Sequence, residues 1–141
     1  MVLVGLFVLV GMTIPRHLTI TRTNSVRFHV FWEQNRWNPS RGGYVRLLLM
    51  DPQMGCTPCS IVKRIGCMPG DQLVGDGGRY YCNDTFLGQA RMDTRFSPFV
   101  YNGIIPPDQV FLIGDKETSY DSRYFGLKPL DDIETVLRPL F

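Results

Sequence analysis

The sequence predicts a mostly β chain, arranged as small antiparallel sheets or a partly closed barrel. Apolar residues come in short alternating or β-branched runs, with no sustained 3.6-residue period. The 14 glycines and 10 prolines in 141 residues are too many for a helical bundle. At this length one domain with its own core is expected, and no repeat or low-complexity tract divides it.

The elements follow in order. Residues Met1 to Ile14 read MVLVGLFVLVGMTI and end at Pro15-Arg16. About 14 residues of helix reach roughly 21 Å, short of the ~20 residues that span a bilayer. No basic n-region or small-residue cleavage site marks a secretory signal. The run is read as a membrane-anchor segment over residues 1–18, incomplete or helped by local thinning of the bilayer, with a buried N-terminal strand as the alternative. Arg16, Arg22 and Arg27 follow it, and the positive-inside rule would place the body in the cytoplasm.

Leu18 to Thr21 alternates as a strand does, and Val26 to Trp32 is β-branched and aromatic. Asn35 to Gly43 is a turn region, and Tyr44 to Met50 is a buried-strand candidate. Ser60 to Ile65 reads as a strand closed by Pro69-Gly70. Arg79 to Cys82 is a strand with Asn83-Asp84 as its turn, while Thr85 to Gly103 has no clear period. Pro106-Pro107 introduces a strand over Gln109 to Ile113, and Ile133 to Leu137 reads as a short final strand.

Composition removes several function classes. A net charge of +2 gives no electrostatic case for nucleic acid. His17 and His29 have no Cys, Asp or Glu at ligand spacing, and no HExxH, phosphate loop or EF-hand pattern occurs, so no metal and no cofactor are implied. Cys56-Thr-Pro-Cys59 has the spacing of a redox motif or half a zinc site, but Cys67 and Cys82 do not complete a second pair and no helix pattern follows. Structural disulfides or plain thiols are the expected state, with the pairing open.

The candidate chemistry centres on a lysine. Only Lys63, Lys116 and Lys128 occur, against 12 arginines, and Lys63 lies in a β-branched run. Alternation puts Ile61 and Ile65 on its face, so the amine is expected in apolar surroundings that favour its neutral form. A neutral lysine is a general base, whereas a snorkelling surface lysine is the plainer alternative. Ser25, Ser40, Ser60, Ser97, Ser119 and Ser122 are available as nucleophiles for such a base. Ser25 stands where one strand ends and an aromatic segment begins, near the expected membrane surface.

Lys63-Arg-Ile-Gly-Cys-Met-Pro-Gly-Asp71 resembles the lysine motif of bacterial type I signal peptidases. Gly114-Asp115 and Ser119-Tyr-Asp-Ser-Arg-Tyr-Phe-Gly126 resemble their downstream motif, and Arg41-Gly-Gly-Tyr-Val45 fits with Gly43 in place of the usual Asp. The short segment between the two motifs looks most like the conjugative-transfer, TraF-like branch. The resemblance covers about residue 20 to the end of the chain.

It implies a Ser/Lys peptidase β-domain over residues 19–141, with 72–108 as a small inserted cap-like region. It implies Ser25 as nucleophile, Lys63 as general base, Ser119 as the group orienting the amine, and an Asp121–Arg123 ion pair fixing the loop. The Ser25 N–H and the Thr23 hydroxyl would form the oxyanion hole. The implied partners are a precursor protein or pro-pilin, the inner membrane and the conjugative transfer machinery. The implied location is the bacterial inner membrane with the catalytic domain on the periplasmic side, against the positive-inside reading. Arg27 and His29 stand where the family has Pro and Gly. They motivate a second reading, a catalytically degenerate β-rich adaptor that binds precursor or pilus-assembly proteins. A self-cleaving Ser/Lys repressor should carry an N-terminal helix-turn-helix, and an apolar run stands there instead.

Overall fold

The computed structural model describes residues 14–141, so most of the segment read as an anchor lies outside the described residues. Among the described residues no helix is long and apolar enough to cross a membrane.

Eleven strands form two antiparallel sheets: β1 (Leu18–Ile20), β2 (Val30–Glu33), β3 (Tyr44–Asp51), β4 (Cys56–Cys67), β5 (Gln72–Asp76), β6 (Arg79–Cys82), β7 (Thr85–Gln89), β8 (Tyr101–Ile104), β9 (Gln109–Ile113), β10 (Lys128–Pro129) and β11 (Ile133–Pro139). The first sheet has seven strands in the order β1-β2-β11-β3-β4-β9-β10, and the second has four in the order β7-β6-β5-β8. Neither closes, so of the two predicted arrangements the separate sheets are the ones that form.

The β3–β4 hairpin is the spine of the large sheet. Its register pairs Val45 with Lys63 and Leu47 with Ile61. Strand alternation therefore puts Ile61, Lys63 and Ile65 on one face, where Val45, Leu47, Ile65, Val110, Leu112 and Ile133 form a core. The opposite face packs Val26, Phe31, Tyr44, Val62 and Leu137. At the hairpin tip Asp51 caps a 3-10 turn, Pro52–Met54, by accepting from Gln53 N, and Gly55 closes it with φ 73°, a conformation that favours glycine.

The second sheet packs Leu73, Tyr80 and Cys82 against Phe111 of β9 and Cys67 of β4. A Cys67–Cys82 disulfide joins it covalently to the large sheet, and Cys56–Cys59 forms a second bridge at the start of β4. Of the states expected for the four cysteines, disulfides are the ones that form, with Cys56–Cys59 a local bridge within one strand.

Three strand expectations need correction. The run Val26 to Trp32 pairs only from Val30, because the backbone before it is taken up by a loop bonded to the β9 end. The aperiodic stretch Thr85 to Gly103 holds β7 and all but the last residue of β8, whose glycines, Gly88 and Gly103, interrupt the alternation. The final strand runs from Ile133 to Pro139 and lies inside the sheet, between β2 and β3.

Candidate active site

Lys63 sits mid-strand with 3% of its surface exposed. Its Nζ donates to Ser119 Oγ at 2.7 Å. Burial pulls its pKa down to about 8; the Arg123 charge pushes the same way, while Asp121 and Asp115 oppose. At pH 7 about one amine in ten is then neutral, against a negligible fraction for a lysine in water.

Ser119 is held from behind. Gly114 follows β9, and a Cβ there would lie 2.1 Å from Ser119 Oγ and 2.7 Å from Ser25 O, so only glycine fits. Two residues beyond Ser119, the buried Asp121 N-caps a one-turn helix, α1 (Ser122–Phe125). Asp121 accepts from Gly114 N at 2.7 Å and pairs with Arg123 through Nε at 2.9 Å and Nη2 at 2.7 Å. Arg123 also donates to Gln89 O at 2.7 Å and Lys116 O at 2.8 Å. This buried pair is fully hydrogen-bonded and ties β7, the 114–119 loop and α1 into one unit.

Ser25 lies in the β1–β2 connection. Its carbonyl accepts from Asp115 N at 2.8 Å, and buried Val26 anchors the same loop in the core beside Phe31. Asp115 in turn accepts from Arg27 N at 2.9 Å, Tyr44 OH at 2.7 Å and Arg64 Nε at 2.7 Å. Burial works against the Asp115 carboxylate, but these donors prevail and hold its pKa below the usual range.

Ser25, Thr23 and Lys63 line one cleft of about 340 Å³, with Ile20, Met54 and Tyr120 on its walls. Ser25 Oγ lies 3.1 Å from Thr23 Oγ1. The amine thus has Ser119 as its hydrogen-bond partner and Ser25 has Thr23, within the same cavity. Of the other serines, Ser122 Oγ is buried and accepts from Leu112 N, which takes it out of solvent reach. All six residues singled out from the sequence come together around this cleft: Ser25, Lys63 and Thr23 face it, and Ser119, Asp121 and Arg123 form the wall behind Lys63.

The residues not foreseen were Tyr44, Arg64 and Asp115 as a network, and Tyr120. Arg64 and Asp115 are both residues of the quoted motifs, but nothing in strand periodicity says that they pair across 51 positions. A second missed case is Asp71, which ends the lysine motif. It accepts from Met68 N at 2.8 Å and pairs with Arg41, closing the turn after β4.

A family model described as signal peptidase, peptidase S26, matches residues 2–140. Among solved structures the chain is similar to a signal peptidase I from Enterococcus faecalis, with 20% identity and a TM-score of 0.49, over 72% of this chain and 97% of that one. No curated protein matches the chain.

Proposed function

The chain belongs to the signal peptidase family, and from that premise we propose that it is a serine endopeptidase in which Ser25 and Lys63 cut leader peptides from exported precursors. The observation that carries the reading is a buried amine, its pKa lowered by that burial to about 8, opening on the same cleft as a half-buried serine.

Neutral Lys63 accepts the Ser25 proton as Oγ attacks the scissile carbonyl. Ser119 fixes the amine by the 2.7 Å hydrogen bond. The Ser25 N–H and the Thr23 hydroxyl take the developing oxyanion. Lys63 then returns the proton to the departing amine, and the leader stays esterified to Ser25. Water, deprotonated by Lys63 in turn, releases it. Ser119 itself is a poor nucleophile, because it is 4% exposed and sits behind the lysine.

The strand layout supports extended binding of the precursor. β4 is 12 residues long, yet β9 pairs only with Arg64 to Cys67. Among the described residues no strand covers that edge from Cys56 to Lys63, so a peptide can add there as a strand ending at the amine.

The finer assignments are proposals on the same footing. They are a conjugative pilin as the precursor, with cyclisation when the cut releases a C-terminal peptide, so that the pilin's own carbonyl is esterified to Ser25 and its N-terminal amine replaces water; an anchor over residues 1–18; and a cap formed by residues 72–108. The proposed location is the bacterial inner membrane, with the β-domain on the periplasmic side. Two disulfides suit an oxidising compartment. In a test with purified protein and a pro-pilin, Ser25→Ala and Lys63→Ala should each abolish processing. Full processing by either variant removes that residue from the mechanism. Stoichiometric capture of precursor without cleavage by the wild type would favour the adaptor reading.

A further inference from the structure

The two disulfides differ in place and in exposure. Cys67 and Cys82 are 0% and 2% exposed and lie in the core where the sheets meet. Cys59 is 4% exposed, but its partner Cys56 is open to solvent at the tip of the β3–β4 hairpin. The buried bridge closes a separation of 15 residues and the outer one a separation of 3. Stabilisation by a crosslink grows with the length of chain it closes, so the outer bridge acts locally.

Its surroundings are the outer end of the cleft. Leu49 pairs with Cys59 and Asp51 with Cys56, so Thr57 and Pro58 together oppose Met50. That is a bulge: the ladder breaks there, and the disulfide closes its neck. On one side, Ser60 to Lys63 line the cleft and carry the open edge of β4. On the other, the turn Pro52–Met54 puts Met54 on the cleft wall, and Asp51 accepts from Tyr120 OH at 2.5 Å. Arg95 ties the same turn to the 91–98 loop by donating to Gln53 O at 3.0 Å. Once the neck opens, no covalent bond holds the register across the bulge, and the two sides can shift against each other.

We propose that Cys56–Cys59 is a thiol–disulfide exchange site: a reduced dithiol opens it, and precursor binding at the adjoining edge of β4 weakens. The inference rests on the peptidase reading above. An incoming thiolate attacks the sulfur it can reach, that of Cys56. The S–S bond breaks, and Cys59 leaves as a thiolate and takes up a proton. The second thiolate of the dithiol then attacks its own bound sulfur. This closes a disulfide in the donor and releases Cys56, which is protonated in turn. Two electrons and two protons pass from donor to protein. β4 runs on past Cys59, so no helix N-terminus stabilises a thiolate there. The pair therefore receives electrons and is not an oxidoreductase centre for other chains.

The test treats the folded protein with dithiothreitol, alkylates it at intervals and maps the labelled cysteines by mass spectrometry. Cys56 and Cys59 should be labelled about a hundredfold faster than Cys67 and Cys82, because exchange follows access to the sulfur. Equal labelling of all four, or earlier labelling of the buried pair, overturns the site. Reduced thioredoxin in place of dithiothreitol tells a protein donor from a small one: labelling with dithiothreitol alone confines the donor to small dithiols.

The consequence is read as binding of the pro-pilin to Ser25→Ala, which needs no turnover. Its Kd should rise about tenfold on selective reduction, the cost of fixing one residue's backbone afresh. Cys56→Ser with Cys59→Ser in the same background should start at the weaker value and ignore the dithiol. An unchanged Kd, a double variant that still responds, or a pro-pilin that binds neither state sinks the link to binding. Processing by the wild type that does not depend on Ser25 sinks the peptidase assignment, while the order of labelling decides the exchange site without it. If the double variant does not fold, Ser25→Ala reduced and alkylated at Cys56 and Cys59 supplies the opened bridge.

Discussion

Lys63 and Ser25 face one cavity, but the molecule holds them by different means. Lys63 is fixed by the sheet: it is mid-strand, paired with Val45, nearly sealed from water, and backed by the Asp121–Arg123 unit. Ser25 is fixed by a polar clamp: a connection between two short strands, held by Asp115 across 90 residues of chain. The amine belongs to the core, and damage to its surroundings should appear as lost stability. The hydroxyl is tuned from outside, and damage to its clamp should appear as lost rate.

The largest expected effect breaks the first half of that contrast. Arg123→Met leaves Asp121 buried with no cation and frees two carbonyls, so unfolding free energy should fall by about 3–5 kcal/mol. Urea denaturation followed by circular dichroism checks it. A loss below ~1 kcal/mol would mean the ion pair does not organise the wall.

The next effect concerns the amine itself. Its pKa in the fold, about 8, lies below the 10.5 of an exposed lysine. Below pH 8 the folded state must carry a buried cation, at a cost of about 3 kcal/mol for a shift of this size. Between those two values the unfolded chain binds the proton and the folded chain does not, so stability rises with pH across that window. Lys63→Met should therefore be the more stable protein at pH 7, with an advantage that shrinks toward pH 10.5. For the wild type, turnover should climb with pH and level off above about 8. A flat pH–rate profile would count against a titrating lysine.

The smallest effect sharpens the second half. Asp115→Asn keeps the shape of the clamp but weakens its hold on Arg64 and on the Arg27 N–H. It should lower kcat by about tenfold with little change in KM, while the melting curve moves by less than ~1 kcal/mol. If stability falls as far as in Arg123→Met, the two halves of the site are not held differently after all.

This contrast also explains what was legible in the sequence. Lys63 was readable because strand alternation is local: Ile61 and Ile65 announce its face within a few residues. The roles of Ser119, Asp121 and Arg123 came from the resemblance, and the short loop brings them together with little help from distant chain. β7 and β8 stayed hidden because glycine breaks the period-2 signal and their pairing partners decide their course. The clamp stayed hidden because Asp115, Tyr44 and Arg64 are joined by register between strands, which no window along the chain contains. Tyr120 read as one aromatic among many until the hairpin tip was seen to reach its hydroxyl.

The interior position of β11 bears on how the protein is made. The β1–β2 pair is joined to the rest of its sheet by backbone pairing with Ile133 to Pro139. On a ribosome, then, that pairing has to wait until nearly the whole polypeptide has been delivered. A product cut short before residue 133 would leave β2 without its neighbouring strand, and the sheet would close last at the end where it began.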